Sequence, residues 1–298
     1  MPDRANQAFL TFTFLGVCVG AFVLLGFGAC VMLGILGYRV QRDGVSALTA
    51  GANDARPAAV FLAFVAFGAL AGLWSLRRQW IATRRLTQRV HAHRLPPTRD
   101  LALAAERTGV SARVHLIDAP EPFSFTFGLL HARIAVSRGF LESVSAPELD
   151  AVLEHERYHL RHRDPLKVLV TRSLTPALFF LPALRDLRAR YVAGRELAAD
   201  RRAIRRHGRR PLAGALYKVL DKPGWLELAP AAAIGGTDAL DARVTQIETG
   251  HEPAPPPVSA RAIALSVGGA AALLSSFLVA LYAFGGPAAL ARLCNGSA

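Results

Sequence analysis

Five consecutive residues, His155-Glu156-Arg157-Tyr158-His159, carry the most specific chemistry in the chain. On a helix, residues four apart share a face, so the two imidazoles converge on one ion while Glu156, turned by about 100°, stands beside it. Two imidazoles suit one divalent zinc ion per chain, and a carboxylate beside an open coordination position can serve as general base toward water. A charged surface helix that happens to hold two histidines is the plain alternative, and a third ligand would decide between them.

A catalytic zinc takes three protein ligands and leaves the fourth position to water. Glu196 and Asp200 form an E-x-x-x-D pair, again four apart. Glu196 is read as the third metal ligand and Asp200 as the carboxylate that holds a ligand imidazole by its remaining N–H. Arg195, Arg201 and Arg202 offer a rival reading, in which they neutralise an ordinary acidic pair. His162, three residues beyond His159, competes for the third position, but three ligands from about a turn and a half of helix crowd the open site. Tyr191 and Arg195 are candidates for stabilising the transition state. The reaction this set implies is hydrolysis of a peptide bond in a protein or peptide substrate, with Glu156 carrying the proton from water to the leaving nitrogen.

Several elements must position these groups. Ser145 followed by Glu148 fits a capping box, and Pro147 is tolerated in a first turn, so a helix is predicted from there through Arg163, ended by Asp164-Pro165. A later helix over about 188–207 stops at Gly208. Residues 97–110 read as a helix, and Arg113 to Ile117 and Ala132 to Val136 as short strands. Phe123, Phe125 and Phe127 recur at every second position and are expected in the core. The strand at Ala132 to Val136 is expected to pair with an extended substrate.

The remaining chain is apolar in blocks: 52% of residues are hydrophobic, and mean hydropathy is +0.29. Uncharged runs from Ala8 to Tyr38, Ala58 to Leu76 and Ala262 to Pro287 are each long enough to cross a hydrocarbon core. The expected organisation is a first transmembrane helix in 1–38, an outer loop 39–57, a second span 58–76 and a basic juxtamembrane segment 77–96. A zinc metallopeptidase domain follows over 97–250, then a Pro-rich linker 251–260, a last span 261–287 and a tail 288–298. Net charge is +13, and Arg77, Arg78, Arg84, Arg85, Arg89 and Arg94 crowd the stretch after the second span. By the positive-inside rule the chain is a multi-pass protein of the cell membrane with its peptidase domain in the cytoplasm and the lipid bilayer as a partner. No element that reads nucleic acid accompanies the arginines, so direct nucleic-acid binding is not expected. Cys18, Cys30 and Cys294 are too few for a disulfide framework.

Val168 to Leu184 is apolar apart from Arg172, with Pro176 and Pro182 inside it. A single crossing there would strand Glu196 on the far side of the membrane from His155, so a hairpin or surface-lying segment that returns to the same side is predicted.

The stretch "PFSFTFGLLHARIAVSRGFLESVSAPELDAVLEHERYHLRHRDPL", then "GRELAADRRAI" and more loosely "DALDARVTQIE", resembles the BlaR/MecR group of membrane metallopeptidases, related to the Ste24/HtpX group. The resemblance implies an integral membrane protein, mainly α-helical with a small β-sheet, whose gluzincin-type domain lies between transmembrane helices. It also implies His155, His159 and Glu196 as zinc ligands, Glu156 as acid and base, and Asp200 in support. In antibiotic-sensing members the peptidase acts on a cytoplasmic repressor and an outer penicillin-binding domain follows the last span. Eleven residues follow Pro287 here, so a drug-sensing role is not expected. Regulatory proteolysis and membrane-protein quality control are the two roles such an enzyme would fill. A non-catalytic scaffold that keeps the fold is the competing class, and Glu156 argues against it.

Overall fold

The computed structural model describes residues 52–220, 237–255 and 257–283, with the isolated positions Thr11, Phe14, Gly28 and Gln41. Those isolated positions apart, the expected first span lies outside the described residues, as does the tail 288–298. The described chain is mainly helical with one small mixed sheet, and it divides into two compact units.

The first unit holds Trp74–Ser173 and Arg188–Pro257. Helix α1 (Ala52–Ala92) supplies its first part and continues through the end of the expected outer loop, the second span and most of the basic segment. The change from apolar to basic side chains does not stop the helix, because neither Pro nor Gly occurs between Trp74 and Ala92. Strand β1 (Arg94–Leu95) then joins the sheet, so the folded domain begins before residue 97. Next come α2 (Arg99–Thr108), β2 (Val114–Ile117), β3 (Ser124–Phe127), β4 (Arg133–Ser137) and the short α3 (Arg138–Ser143).

Strand order is β1-β2-β4-β3, with β2 and β4 parallel and the outer pairs antiparallel. This corrects one expectation: the strand at Ala132 to Val136 is interior, hydrogen-bonded on both sides, and cannot accept a substrate. Among the described residues the edge strands are β1 and β3, and β3 is marked by the phenylalanine stripe only as core. Both properties hold, because strand side chains alternate between faces while backbone groups point along the sheet. Phe123, Phe125 and Phe127 pack with Leu86, Val90, Ile117 and Ala135 on one face. On the other face Leu116, Ile134 and Val136 pack with Leu101, Phe140, Leu149 and Leu153.

Helix α4 (Ala146–His162) has its capping box formed between Ser145 and Glu148. It is followed by α5 (Asp164–Ala177), α6 (Ala183–His207), α7 (Arg209–Leu220) and α8 (Thr237–Thr249). Helix α6 begins five residues before the predicted start at 188. Asp164-Pro165 ends α4, as expected, and also opens α5, because Pro is well placed in a first turn.

The second unit comprises, among the described residues, 52–73, 174–187 and 258–283. The turn between α5 and α6 meets α1 and the last helix, α9 (Ala260–Ala283), here: Phe64 lies 4.7 Å from Phe179 and 5.5 Å from Phe180, ring centre to centre. Gly68 and Gly269 allow the backbone carbonyls of Ala177 and Phe180 to approach closely, since a Cβ at either position would collide with them. Along the chain, the first unit is left after Ser173 and re-entered at Arg188. Among the described residues, α1 and α9 each contain a stretch long and apolar enough to cross a membrane.

Candidate metal centre

Helix α4 brings His155 and His159 onto one face, both buried, with their Nε2 atoms 3.0 Å apart. Glu196 of α6 faces them, its Oε2 3.6 Å from the first Nε2 and 3.8 Å from the second. The three donor atoms lie within 4.8 Å of one another. Two donors held at about 2.05 Å from one tetrahedral zinc ion stand about 3.3 Å apart, so the spacing fits a single ion.

What lies behind each ring fixes which nitrogen points inward. His155 Nδ1 sits 2.7 Å from Asp200, a close ionic contact whose alignment falls short of a hydrogen bond. His159 Nδ1 lies 2.6 Å from Asp164. With both Nδ1 atoms turned to carboxylates, the Nε2 lone pairs are left for a metal. Asp164 reaches His159 because Arg163 takes the left-handed conformation, φ 52°, and folds the chain back on the end of α4. A non-glycine residue held there stores of order 1 kcal/mol of strain.

The electrostatics favour a cation at the centre. Burial works against a charged His155, but Asp200 and Glu196 outweigh it and raise its pKa to about 9. Burial would also raise Glu196, yet His159, His155, Arg195 and Arg243 hold its carboxyl well below the usual range. Asp200 is lowered in the same way, against burial, by Arg243 and His155.

Glu156 lines the same cavity of about 480 Å³. Its Oε2 accepts a hydrogen bond of 2.7 Å from the Thr126 hydroxyl, which ties it to the edge strand β3. Tyr191, buried on α6, directs its hydroxyl toward Asp164 at 3.5 Å, and burial followed by that carboxylate pushes its pKa up. Arg195 pairs with Glu196 at 3.1 Å. The other arginines proposed to neutralise the acidic pair face elsewhere, Arg201 toward Glu252 and Arg202 toward Glu154. His162 hydrogen-bonds the Tyr158 carbonyl at 2.8 Å and stacks on its ring, away from the three donors.

Sequence reasoning missed three participants. Asp164 reads locally as a helix stop, and its spacing of five from His159 is the only signal it gives. Thr126 is an ordinary strand residue. Arg243 of α8 grips Asp200 through two hydrogen bonds, of 2.7 and 3.0 Å, and lies 3.6 Å from Glu196. It is 43 residues from Asp200, and although it lies in the loosely matching stretch DALDARVTQIE, its residue type and spacing give it no role.

Two histidines of an H-E-x-x-H run on one helix and a carboxylate from a second make a group that could hold a metal ion. The chain belongs to the BlaR1 peptidase M56 family, whose model matches residues 45–247. It is also similar to the protease HtpX homolog of Acidiphilium cryptum, with 34% identity over 124 residues, 41% of this chain and 43% of that one. A second likeness is to the protease HtpX homolog of Thermoplasma acidophilum, 41% identical over 64 residues, 22% of this chain and 20% of that one. The chain spans less than half the length of these relatives.

Proposed function

We propose that this chain is a membrane-anchored, zinc-dependent endopeptidase that cleaves protein substrates at the cytoplasmic face of the cell membrane, in regulatory proteolysis or membrane-protein quality control. The observation that carries the reading is the convergence of His155, His159 and Glu196 beside Glu156 in one cavity. A bound zinc ion would supply Lewis acidity, making a water nucleophilic near neutral pH and polarising the peptide carbonyl.

The chain's own groups do the rest. Asp200 and Asp164 fix the imidazoles. Thr126 orients the Glu156 carboxylate, which takes the proton of the attacking water and delivers it to the leaving nitrogen. The free edge of β3 hydrogen-bonds an extended substrate and aligns its backbone beside Glu156. Arg195, next to the metal ligand, is better placed than Tyr191 to meet developing negative charge, because the Tyr191 hydroxyl is turned to Asp164.

Membrane anchoring is supported by the large apolar side chains that α1 and α9 leave exposed, among them Phe67, Leu70, Leu73, Val267, Leu274 and Leu278. The crowd of arginines after the second span supports the cytoplasmic placement.

The test is metal analysis with cleavage of casein by the detergent-purified chain. Wild type is expected to carry one zinc and to cleave; Glu156→Ala keeps the zinc and loses cleavage, while Glu196→Ala weakens both. A wild-type protein that holds zinc yet leaves casein and unfolded membrane proteins intact would overturn the reading.

A further inference from the structure

Two features of α1 meet at one level. Its uncharged run ends at Leu76, and Trp74, Arg77, Arg78 and Trp80 bracket that end, with Trp74 66% and Trp80 48% exposed. Exposed tryptophans beside arginines mark the headgroup layer of a bilayer, since an indole and a guanidinium on an apolar stem both favour the boundary between water and hydrocarbon. From Trp74 to Trp80 the helix rises about 9 Å. That is close to the roughly 5–8 Å depth of one headgroup layer.

The catalytic cavity begins at the same level. Its wall on α1 is formed by Arg78, Gln79, Ala82, Thr83 and Leu86, all within the first unit. At 1.5 Å per residue this wall runs from about 3 Å to about 15 Å past Leu76. Its near corner is fixed by polar contacts: Ser75 donates a 3.1 Å hydrogen bond to the Arg172 carbonyl, and Gln79 donates one of 3.3 Å to the Ser173 hydroxyl. These clamp the end of α5 to α1 where the cavity starts. Glu156, Thr126 and the rest of β3 line the same space.

We propose that the cleft selects peptide bonds in juxtamembrane segments, the first residues that follow an apolar span of a second membrane protein. The inference rests on the peptidase reading with its membrane anchor, and gives that reading a substrate class. An extended chain covers about 3.3 Å per residue, so a wall between about 3 and 15 Å past the apolar run matches roughly the first one to five residues beyond a substrate's own span. Such a segment arrives at the cleft already held at the right height. A folded soluble domain is kept off by the headgroups, and a free peptide lacks the raised local concentration that a shared bilayer provides. Trp74 and Trp80 set the height, by resisting movement of α1 into or out of the boundary.

The test places the full-length, zinc-loaded protein in phosphatidylglycerol and phosphatidylcholine vesicles with reporters built from one apolar span, a Gly/Ser linker and a sequence that the enzyme cuts in casein. Linkers of about 3, about 12 and about 36 residues are compared with the same sequence as a free peptide. The shortest linker is expected to give the fastest cleavage, falling about tenfold at the second, because effective concentration decays roughly as the −3/2 power of length. A Trp74→Gln, Trp80→Gln double variant is expected to cut the free peptide at the wild-type rate and to lose most of the preference for the shortest linker.

A rate that rises with linker length would overturn the inference, since the cleft would then stand away from the bilayer. Equal rates for all tethered reporters and the free peptide would also overturn it, while leaving the peptidase reading intact. A preference untouched in the double variant would remove the two indoles from the device. If zinc-loaded wild type cuts neither tethered nor free sequences nor casein, the peptidase reading fails and this inference falls with it.

Discussion

Asp164 and His159, five residues apart, face each other at 2.6 Å across the reversal at Arg163, and this pair mirrors the contact of Asp200 with His155 on the opposite side of the centre. Each imidazole therefore has its own carboxylate behind it. Replacing either acid with Asn leaves a ring free to turn and lowers its basicity. Asp164→Asn and Asp200→Asn are each expected to weaken zinc retention by roughly 10–100-fold, measured by chelator competition. Wild-type retention in both variants would remove the carboxylates from the metal centre.

Arg243 acts one step further out. It is the group that satisfies the fully buried Asp200 carboxylate from the side away from His155. Arg243→Gln should cost about 1–3 kcal/mol of stability, because a buried acceptor loses charged donors. Zinc affinity should fall as well, and Arg243→Lys should not restore it fully, since a point charge cannot reproduce the two-pronged contact. Unchanged melting and unchanged zinc affinity would show that Asp200 holds its place without help.

A second buried carboxylate has no part in the chemistry. Glu154, fully buried on α4, is held by Arg157 of its own helix at 3.3 Å and by Arg202 and Arg206 of α6 at 2.5 and 3.2 Å. It pins together the two helices that carry His155, His159 and Glu196. Glu154→Gln is expected to lower stability by about 1–3 kcal/mol, with zinc content retained below the melting temperature. A thermal scan that matches wild type would show that the three arginines are satisfied by solvent alone.

His115 gives a pH signature separate from the metal. Burial first, then the charges of Arg94, Arg133 and His91, pulls its pKa down from 6.5 to about 4. Between these values the unfolded chain takes up a proton that the folded chain refuses, so stability is lost as pH falls from about 6.5 and levels off near 4. With metal removed by chelator, His115→Gln should flatten that slope in unfolding titrations. Parallel slopes for the two proteins would mean that His115 titrates alike in both states.

Local patterns made much of this fold legible. The spacing of His155, Glu156 and His159 on a capped helix, and of Glu196 and Asp200 on another, needs only helical periodicity, and the structure brings the donors of His155, His159 and Glu196 within 4.8 Å, with Asp200 behind His155 and Glu156 lining the same cavity. Asp164, Thr126 and Arg243 could not be read the same way, because their partners are chosen by tertiary packing. Arg243 faces Asp200 only after α8 docks against α6. The strand assignment shows the same limit: alternation placed a strand at Ala132 to Val136, one residue ahead of the observed Arg133–Ser137, but which strand is left at the edge depends on pairing order, a property no single segment contains. Composition marked where apolar residues change to basic ones in α1 and said nothing of a helix that runs on regardless.

On the proposed reading, the unpaired margin of β3 recognises the peptide backbone and is indifferent to most side chains. A polypeptide already folded into helix or sheet has its amides and carbonyls engaged internally and offers that margin nothing. On the proposed reading, well-folded neighbours in the cytoplasm are spared for a geometric reason, and the enzyme's victims are loosened hinges, slack linkers and chains that have failed to fold.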